Sequence, residues 1–251
     1  MNSFLLSIEK LQDYSLLLFE IIKGFPYSLK YRNETLNEMY WIGASAFKLV
    51  FVAGLFEGII LAVETGHQLA TFGAETLVGR SVSMGMVREL GPVITGLLLA
   101  ARTGARNASE IGAMQLSEQI DALRAFGTSP VKKLMVPKTV AAVVMFLPLT
   151  LVADIVGILG GMFASKLSMH IDISFFWNSA IDALGLKDII IGYLKPIIFG
   201  LFISTISCYY GSTTKGGTSG LGKSTINAVV ISSLMVIILD FVFTEIIWKF
   251  F

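Results

Sequence analysis

The sequence predicts an all-α, polytopic membrane protein with about five transmembrane helices. Of its 251 residues, 54% are hydrophobic and only 15% are charged, whereas about 25% of residues are charged in an ordinary soluble domain. The apolar residues fall in blocks, and several blocks reach the ~20 residues that a helix needs to cross a ~30 Å hydrocarbon layer. The sequence lacks the ten-residue alternation of apolar and polar residues that is typical of membrane β-barrels. These observations exclude a soluble globular enzyme.

Residues 3–23 are predicted to form an amphipathic helix that lies flat on the membrane surface. Its apolar residues follow helical spacing, while its charged residues lie away from that stripe. The stripe consists of Phe4, Ile8, Leu11, Leu18 and Ile22. The segment is too polar to span the bilayer, and packing against another subunit is the alternative. Residues 24–44 are polar and turn-rich, so we expect an interfacial helix and linker over 1–44 and a transmembrane domain over 45–251.

Five apolar blocks are candidate membrane spans. They cover residues 46–72, 82–101, 139–163, 189–210 and 225–248. The first block is interrupted by Glu57, Glu64 and His67 and holds Gly54, Gly58 and Gly66, which predicts a broken or re-entrant segment with its polar groups turned away from lipid. The alternative to five spans is therefore four spans plus a re-entrant hairpin. The second block contains Pro92, which predicts a kink. Residues 211–224 are expected to form a Gly/Ser/Thr/Lys loop.

The distribution of basic residues predicts the orientation in the membrane. The connection at 102–138 carries six Lys and Arg residues, whereas the connection at 164–187 carries two. Cytoplasmic connections are enriched in Lys and Arg. We therefore expect 102–138 to be cytoplasmic, with the N-terminus inside the cell and the C-terminus outside. The net charge of +1 gives no indication of a nucleic acid partner.

No catalytic, nucleotide or metal site is predicted. Residues 217–224 read GTSGLGKS and fit the phosphate-binding pattern G-x-x-x-x-G-K-[ST]. That motif works after a buried β-strand of a soluble domain, whereas here it lies between two apolar blocks. The single cysteine, Cys208, cannot form an internal disulfide, and the two histidines, His67 and His170, are far apart.

A ridge of small residues follows the second block into the cytoplasmic connection. Its members recur every four residues and are Gly96, Ala100, Gly104, Ala108 and Gly112. Such ridges allow close approach of helix backbones in lipid. The pattern predicts that the second helix projects into the cytoplasm, and it fits packing within the chain as well as a subunit interface.

A short amphipathic helix is predicted in the same connection, at about 116–127. Ser117 is a plausible N-cap, and Gly127 fits a C-terminal cap. The apolar stripe of this helix is Leu116, Ile120 and Leu123, and the polar residues around it are Glu118, Gln119, Asp121 and Arg124. A helix of this kind between two spans suits docking of a soluble partner. The alternative is a helix that lies on the bilayer surface.

Four neighbouring motifs resemble the MlaE/YrbE permease family. They are RELGPV at 88–93, ARTGA at 101–105, ASEIGAM at 108–114 and SEQIDAL at 117–123. The resemblance extends from about residue 45 to the end of the chain. It implies a permease subunit of an ABC transporter that moves phospholipids or other hydrophobic molecules between the two membranes of bacteria, in the inner membrane.

The same resemblance implies partners and a binding site. A second copy of the chain would complete the core, and soluble ATPases that bind the ATP would dock on the helix at 117–126. A periplasmic MCE-domain protein, as a hexamer, would complete the system. The lipid pocket would include Leu61, Phe72, Glu89, Leu90 and Lys195. No cofactor of its own is implied.

Ionisable residues within the apolar blocks independently indicate a charged site, because they are costly at membrane depth. We hypothesise that Lys195 and Arg88 attract a lipid phosphate, while Glu89 orients the headgroup or gates the pocket. Internal pairing of these charges is the alternative. Whether Glu57, Glu64, Asp154 and Asp240 are functional or structural stays open.

Other functions are less well supported by the sequence. An ion- or proton-coupled transporter is the main alternative, since acidic residues occur in the membrane blocks. A membrane enzyme that acts on lipid is disfavoured because no nucleophile has an obvious base. A purely structural scaffold is the remaining class.

Overall fold

The computed structural model describes residues 2–250, which form helices joined by short connections. Among these residues, five helices are long and apolar enough to cross a membrane, and no β-strand occurs. The five are Arg32–Ala70, Glu75–Leu116, Val131–Met169, Leu186–Ser212 and Gly217–Ile246. The predicted fold class and the predicted number of spans are confirmed.

One helix precedes the five spans. Helix α1 is Asn2–Gly24, and a single 3₁₀ turn at Phe25–Ser28 separates it from α2, Arg32–Ala70. The predicted linker at 24–44 is therefore helical from Arg32 onward, so a division at residue 44 falls inside α2. The Phe4 side chain of the predicted apolar stripe lies outside the described part of the chain.

The prediction that the first span is broken or re-entrant is wrong. Helix α2 runs for 39 residues without interruption. Its glycines serve close packing: a Cβ at Gly58 would meet the backbone carbonyl of Gly157, and one at Gly54 would lie 2.8 Å from the backbone of Ala153. Small residues that let backbones approach are the usual basis of helix association in lipid. Gly54 and Gly58, two of the residues that suggested a break, thus hold α2 against its neighbour.

The second span is one helix with changes of winding. It comprises α3 (Val78–Gly85), a π turn at Met86–Leu90, α4 (Gly91–Leu99), a second π turn at Ala100–Gly104 and α5 (Ala105–Leu116). The predicted extension beyond the apolar block is confirmed. The first π turn ends two residues before Pro92, where the proline ring would crowd the preceding turn of a regular α-helix.

The remaining helices follow with short connections. They are α6 (Gln119–Ala125), α7 (Val136–Met169), which follows a π turn at Val131–Met135, α8 (Ile173–Ala183), α9 (Leu186–Ser212) and α10 (Gly217–Phe250). The predicted loop at 211–224 is reduced to residues 213–216. Gly216 and Gly217, both with positive φ, make the turn into α10 there.

The predicted cap of the short central helix is wrong. The Ser117 hydroxyl donates to the Ala113 carbonyl at 2.9 Å, so this residue closes α5 instead of starting α6. Glu118, with φ of 59°, makes the sharp turn between the two helices. The predicted C-terminal cap holds, because Gly127 has φ of 70° and the Thr128 N–H donates to the Leu123 carbonyl at 2.9 Å.

The chain divides into two compact units. The first comprises the chain up to Ile42, Leu99–Met145 and Phe199–Val236. Its core joins residues from six elements, namely Ile21, Ile111, Ile120, Met135, Val136 and Cys208. The small-residue ridge is buried here within the chain, since Gly104 faces Ile203 and Ser232, and Gly112 faces Thr214 and Leu221. This burial favours packing within the chain over a subunit interface for that part of the ridge.

The second unit comprises Gly43–Leu98, Phe146–Ile198 and the chain from Ile237. Its apolar cluster lies between α2, α3, α7 and α8, and includes Ala62, Val82, Met86, Ala164 and Phe176. The glycine contacts of α2 with α7 belong to this unit. They fix the distance between these two helices.

Replacing Gly58 with alanine tests this packing. The added methyl group would overlap the backbone of Gly157, which cannot rotate away, so we expect a loss of about 1–3 kcal/mol, typical of overpacking. Thermal unfolding of the purified protein in detergent measures it. Gly222→Ala is the matched control, because open space surrounds that helical glycine, and its unfolding temperature should be unchanged or higher. An unfolding temperature for Gly58→Ala equal to that of the wild type would contradict the packing argument.

Candidate functional site

The candidate site is a buried ion network in the second unit, centred on Lys195 of α9. The Lys195 side chain is 0% exposed. Its ammonium lies 2.6 Å from Glu89 Oε2 and 2.8 Å from Asp240 Oδ1. Thr244 Oγ1, one turn after Asp240 on α10, lies 3.2 Å from the ammonium and donates to Glu89 Oε1 at 3.0 Å. A lysine is almost never fully buried unless it is paired, and here two carboxylates pair with it.

Pro92 contributes to this network through the backbone. Proline has no N–H to donate to the carbonyl four residues earlier, which is that of Arg88. The Lys195 ammonium donates to this carbonyl at 2.8 Å. The Arg88 carbonyl, which Pro92 leaves without its helical donor, therefore accepts a hydrogen bond from Lys195, and the buried ammonium gains an acceptor. The sequence motif around Pro92 and the lysine on α9 form one structural feature.

The side chains of the network differ in how far they are exposed. The Asp240 side chain is 20% exposed and that of Glu89 is 40% exposed, whereas Lys195 is enclosed. Two carboxylates and one ammonium leave one negative charge in excess. Of the three charged members of the network, Glu89 is the most exposed.

Arg88 forms a separate pair. Its guanidinium binds Asp188 Oδ1, with Nη2 at 2.5 Å and Nε at 2.7 Å, and Asp188 also accepts the N–H of Gly185 at 2.9 Å. Both predicted phosphate-binding cations, Lys195 and Arg88, are thus engaged within the chain. This arrangement corresponds to the internal pairing that the sequence left open.

The predicted apolar site residues fall in two groups. Leu61 and Leu90 are partly buried against the cluster around Val82 and Met86. Phe72 follows the end of α2 and is 82% exposed, outside that cluster. The structure therefore brings four of the predicted residues together in the second unit, with Lys195 enclosed, Leu61 and Leu90 partly buried and Glu89 partly exposed, and leaves Phe72 at the surface.

Asp154 on α7 is a second buried acid in this unit. It is 1% exposed and its carboxylate lies against Gly91. Within the described part of the chain, neither oxygen has a partner at hydrogen-bonding geometry, although the Tyr193 hydroxyl is nearby. Glu57 is half-buried and Glu64 is exposed, with its Oε1 3.3 Å from Gln68. Among the described residues, no group of three or more His, Cys, Asp or Glu side chains could hold a metal ion.

Thr244 is a member of the network that sequence reasoning missed, and Asp240 was left open between structural and functional roles. The signal was their spacing. Residues four apart on a helix share a face, so an acid and a hydroxyl at this spacing in an apolar block indicate a polar contact. Their shared partner, Lys195, lies 45 residues before Asp240 and 49 residues before Thr244, and no local sequence pattern identifies a contact at that separation.

The first unit contains a second charged cluster. The Lys138 ammonium lies 2.7 Å from Glu38 and 2.8 Å from Glu110, and Arg106 binds Glu38 at 3.0 Å and stacks over Trp41 with its guanidinium carbon 5.3 Å from the ring centre. Two cations balance two carboxylates. This cluster ties the start of α2 to α5 and α7.

The predicted docking residues lie on α6 and in the turn before it. Glu118, Gln119, Asp121 and Arg124 are exposed, while Ile120 is buried in the first unit's core. Asp121 and Arg124 form an exposed ion pair of 2.9 Å. Phe126, at the end of the helix, is 85% exposed. Helix α6 thus presents polar and aromatic groups outward and is anchored on its other face.

The phosphate-binding pattern at 217–224 lies within α10. The working motif is a loop that follows a β-strand. Residues 217–224 instead form the first turns of α10, which supports rejecting a nucleotide site there.

Comparison with known proteins gives one family. The family model described as Permease MlaE matches residues 35–246. A probable ABC transporter permease protein of Rickettsia prowazekii is 34% identical over 94% of this chain and 91% of its own. The intermembrane phospholipid transport system permease protein MlaE of Haemophilus influenzae is 30% identical over 92% of this chain and 88% of its own. The chloroplastic protein TRIGALACTOSYLDIACYLGLYCEROL 1 of Arabidopsis thaliana is 34% identical over 92% of this chain and 64% of its own.

Removing the central cation tests the ion network. Lys195→Met leaves Glu89 and Asp240 without their counter-ion, and breaking a buried pair costs about 3–5 kcal/mol. Partial exposure of both acids places the expected loss at the lower end of that range, measured as a lower thermal unfolding temperature. Lys195→Met/Asp240→Asn should recover part of the loss. Lys249→Met, at an exposed pair on the same helix as Asp240, is the control and should leave stability unchanged; equal stability of Lys195→Met and this control would refute the network's role.

Proposed function

The chain belongs to the MlaE permease family, and on that premise we propose that it is the membrane-spanning subunit of an ABC transporter that moves phospholipids or related hydrophobic molecules. It has no catalytic role of its own in this proposal. ATP is bound and hydrolysed by a separate ATPase subunit. A second copy of the chain completes the lipid pathway, and a periplasmic MCE-domain protein, as a hexamer, carries the lipid between the inner and outer membranes.

The observation that carries the proposal is the ion network around Lys195. A charged group within a membrane span is costly and marks a functional site by default. The Glu89 carboxylate forms a short ion pair with the Lys195 ammonium, at 2.6 Å, and the Glu89 side chain is nevertheless 40% exposed. An amphiphile fits such a place, because partly buried leucines, Leu61 and Leu90, stand in the same unit as a reachable charge.

The geometry supports a gating role for Glu89. In the described state, the ammonium of Lys195 contacts four oxygens, so no donor remains for a lipid phosphate. A phosphate that approaches at Glu89 carries the same charge as the carboxylate and can replace it on Lys195. Asp240 then keeps the ammonium paired during the exchange. Lipid entry is thereby linked to release of Glu89, and Arg88 stays with Asp188.

Helix α6 supplies the coupling to the ATPase. Its outward residues, Asp121 and Arg124, offer charged contacts, and Ile120 anchors it in the first unit's core. In that core Ile120 packs with Ile111 of α5 and Val136 of α7. Because packed cores transmit displacement with little compression, a push on α6 reaches both helices.

The proposed orientation follows the basic residues. The connection that contains α6 has six Lys and Arg residues and faces the cytoplasm in this proposal. Five spans then place the N-terminus in the cytoplasm and the C-terminus in the periplasm of a bacterial inner membrane. Exposed apolar residues of α1, such as Leu11 and Phe19, support its placement at the membrane surface.

A proton-coupled transporter is the second candidate, and the Asp154 carboxylate is the observation that favours it. An acid that is 1% exposed inside a span is a possible proton carrier. Transport that persists without the ATPase and follows an imposed pH gradient would support this candidate over the first.

Glu89→Gln tests the lipid site. The amide keeps the size of the side chain but removes the charge that holds it on Lys195, so gating fails, and we expect at least a tenfold slower ATP-dependent transfer of fluorescent phospholipid in proteoliposomes with the ATPase present. Glu64→Gln, at an exposed acid on α2, is the control and should transfer lipid at the wild-type rate. Wild-type transfer by Glu89→Gln would remove Glu89 from the pathway.

Exchanging two charges on α6 tests the coupling. Asp121→Arg/Arg124→Asp keeps the ion pair within the helix but reverses the charges presented to a partner. We expect at least tenfold less ATPase to co-purify with this variant, because like charges across an interface repel. Arg80→Glu changes an exposed residue on α3 and should leave co-purification intact. Normal co-purification and ATP-driven transport by the exchanged variant would exclude docking through these residues.

A further inference from the structure

A cavity in the first unit lies apart from the Lys195 network. It has a volume of about 250 Å³ and is bounded by α1, the last turns of α9 and the middle of α10. Leu11 lines it from α1, Ile206 from α9, and Ile231 and Met235 from α10. The walls are therefore mostly apolar, and two of the three bounding helices are membrane spans.

Three contacting tyrosines form one wall of this cavity. Tyr14 of α1 bonds to Thr205 of α9 through its hydroxyl at 3.0 Å. The Tyr14 ring packs edge-on against Tyr209, with ring centres 5.8 Å apart, and Tyr209 packs likewise against Tyr210 at 5.6 Å. These contacts join Tyr14, Tyr209 and Tyr210 into one aromatic cluster along the cavity. Tyrosines of this kind are enriched where hydrocarbon meets the headgroup layer.

The surroundings of the cavity indicate a hydrocarbon occupant. Leu11 is 65% exposed and Ile231 is 38% exposed at its edge, and their neighbour Leu234 is 50% exposed. Exposed apolar side chains on and beside membrane spans suit contact with lipid. Apolar cavities do not hold water stably, and a water molecule's share of liquid volume is about 30 Å³. Since a methylene group is of similar size, the volume suits about eight carbons of one acyl chain.

The charges near the rim indicate the class of headgroup. Lys10 lines the cavity, and Glu9 and Asp13 are its exposed neighbours on α1. The three charges sum to −1, which disfavours a headgroup with net negative charge. A zwitterionic headgroup suits them, with its phosphate toward Lys10 and its ammonium toward the carboxylates. A second copy of the chain suits them less, because charged residues are depleted in the cores of protein interfaces.

We propose that this cavity binds one acyl chain of a zwitterionic aminophospholipid from the leaflet that α1 contacts, as a resident lipid that holds α1 against α9 and α10. The site differs from the lipid pathway at Glu89, and its occupant is not transported. Binding of a resident lipid here does not depend on whether the chain transports lipid.

Native mass spectrometry of the full chain tests the proposal, with the protein released from nanodiscs of equal parts phosphatidylethanolamine and phosphatidylglycerol. We expect one tightly held phosphatidylethanolamine per protomer, also in Glu89→Gln. Ile231→Trp, which fills the cavity, should lower its occupancy at least tenfold, and Lys10→Ala about threefold or more. Ile226→Trp places the same ring on α10 outside the cavity, at a residue that is 64% exposed, and should keep the lipid.

Three results would overturn the proposal. Unchanged phosphatidylethanolamine occupancy in both Ile231→Trp and Lys10→Ala would exclude the cavity as its site. Equal retention of phosphatidylglycerol by the wild type would exclude recognition of a zwitterionic headgroup. A shift of the monomer–dimer balance in Ile231→Trp with no change in bound lipid would assign the cavity to a second copy of the chain.

Discussion

The fully buried ammonium of Lys195 constrains the second unit more than any other group. An unpaired cation at that depth would be prohibitively costly, so its partners must be held in place by several elements at once. Glu89 and the Arg88 carbonyl come from the π turn before Pro92, and Asp240 and Thr244 come from α10. Three membrane-spanning segments are thus fixed in register by one side chain.

Close backbone packing supplies the second constraint. Gly54 and Gly58 of α2 let α7 approach through Ala153 and Gly157. In lipid, apolar side chains gain little by leaving their surroundings, so helices associate through such contacts and through polar pairs. The second unit uses both: the glycines set the separation of α2 and α7, and the ion network sets the register of α9 and α10.

Much of this architecture could be predicted from the sequence, because membrane thickness makes span length a strong signal. The five spans and the polar face of α6 follow from block length and helical spacing. Winding and capping could not be predicted. In the local sequence Gly54 and Gly58 indicate a break, and their role in close packing depends on α7, which is distant in sequence. Ser117 has the composition of an N-cap, yet the continued winding of α5 makes it a C-terminal residue. Glu89 and Lys195 were predicted as candidates, whereas Thr244 depends on a contact distant in sequence.

The length of α2 has a consequence for where its charges lie. At 1.5 Å per residue, its 39 residues make a rod of about 58 Å, nearly twice the ~30 Å thickness of the hydrocarbon layer. Even a tilt of about 40°, the steepest usually seen for such helices, accommodates only about 39 Å within lipid. Some 19 Å therefore stands in the headgroup layers or in water. Glu38, six residues after the start of α2, belongs to a cluster of four charged side chains. Because charges are costly in hydrocarbon, we expect the N-terminal end of α2 to be the part that extends beyond the bilayer.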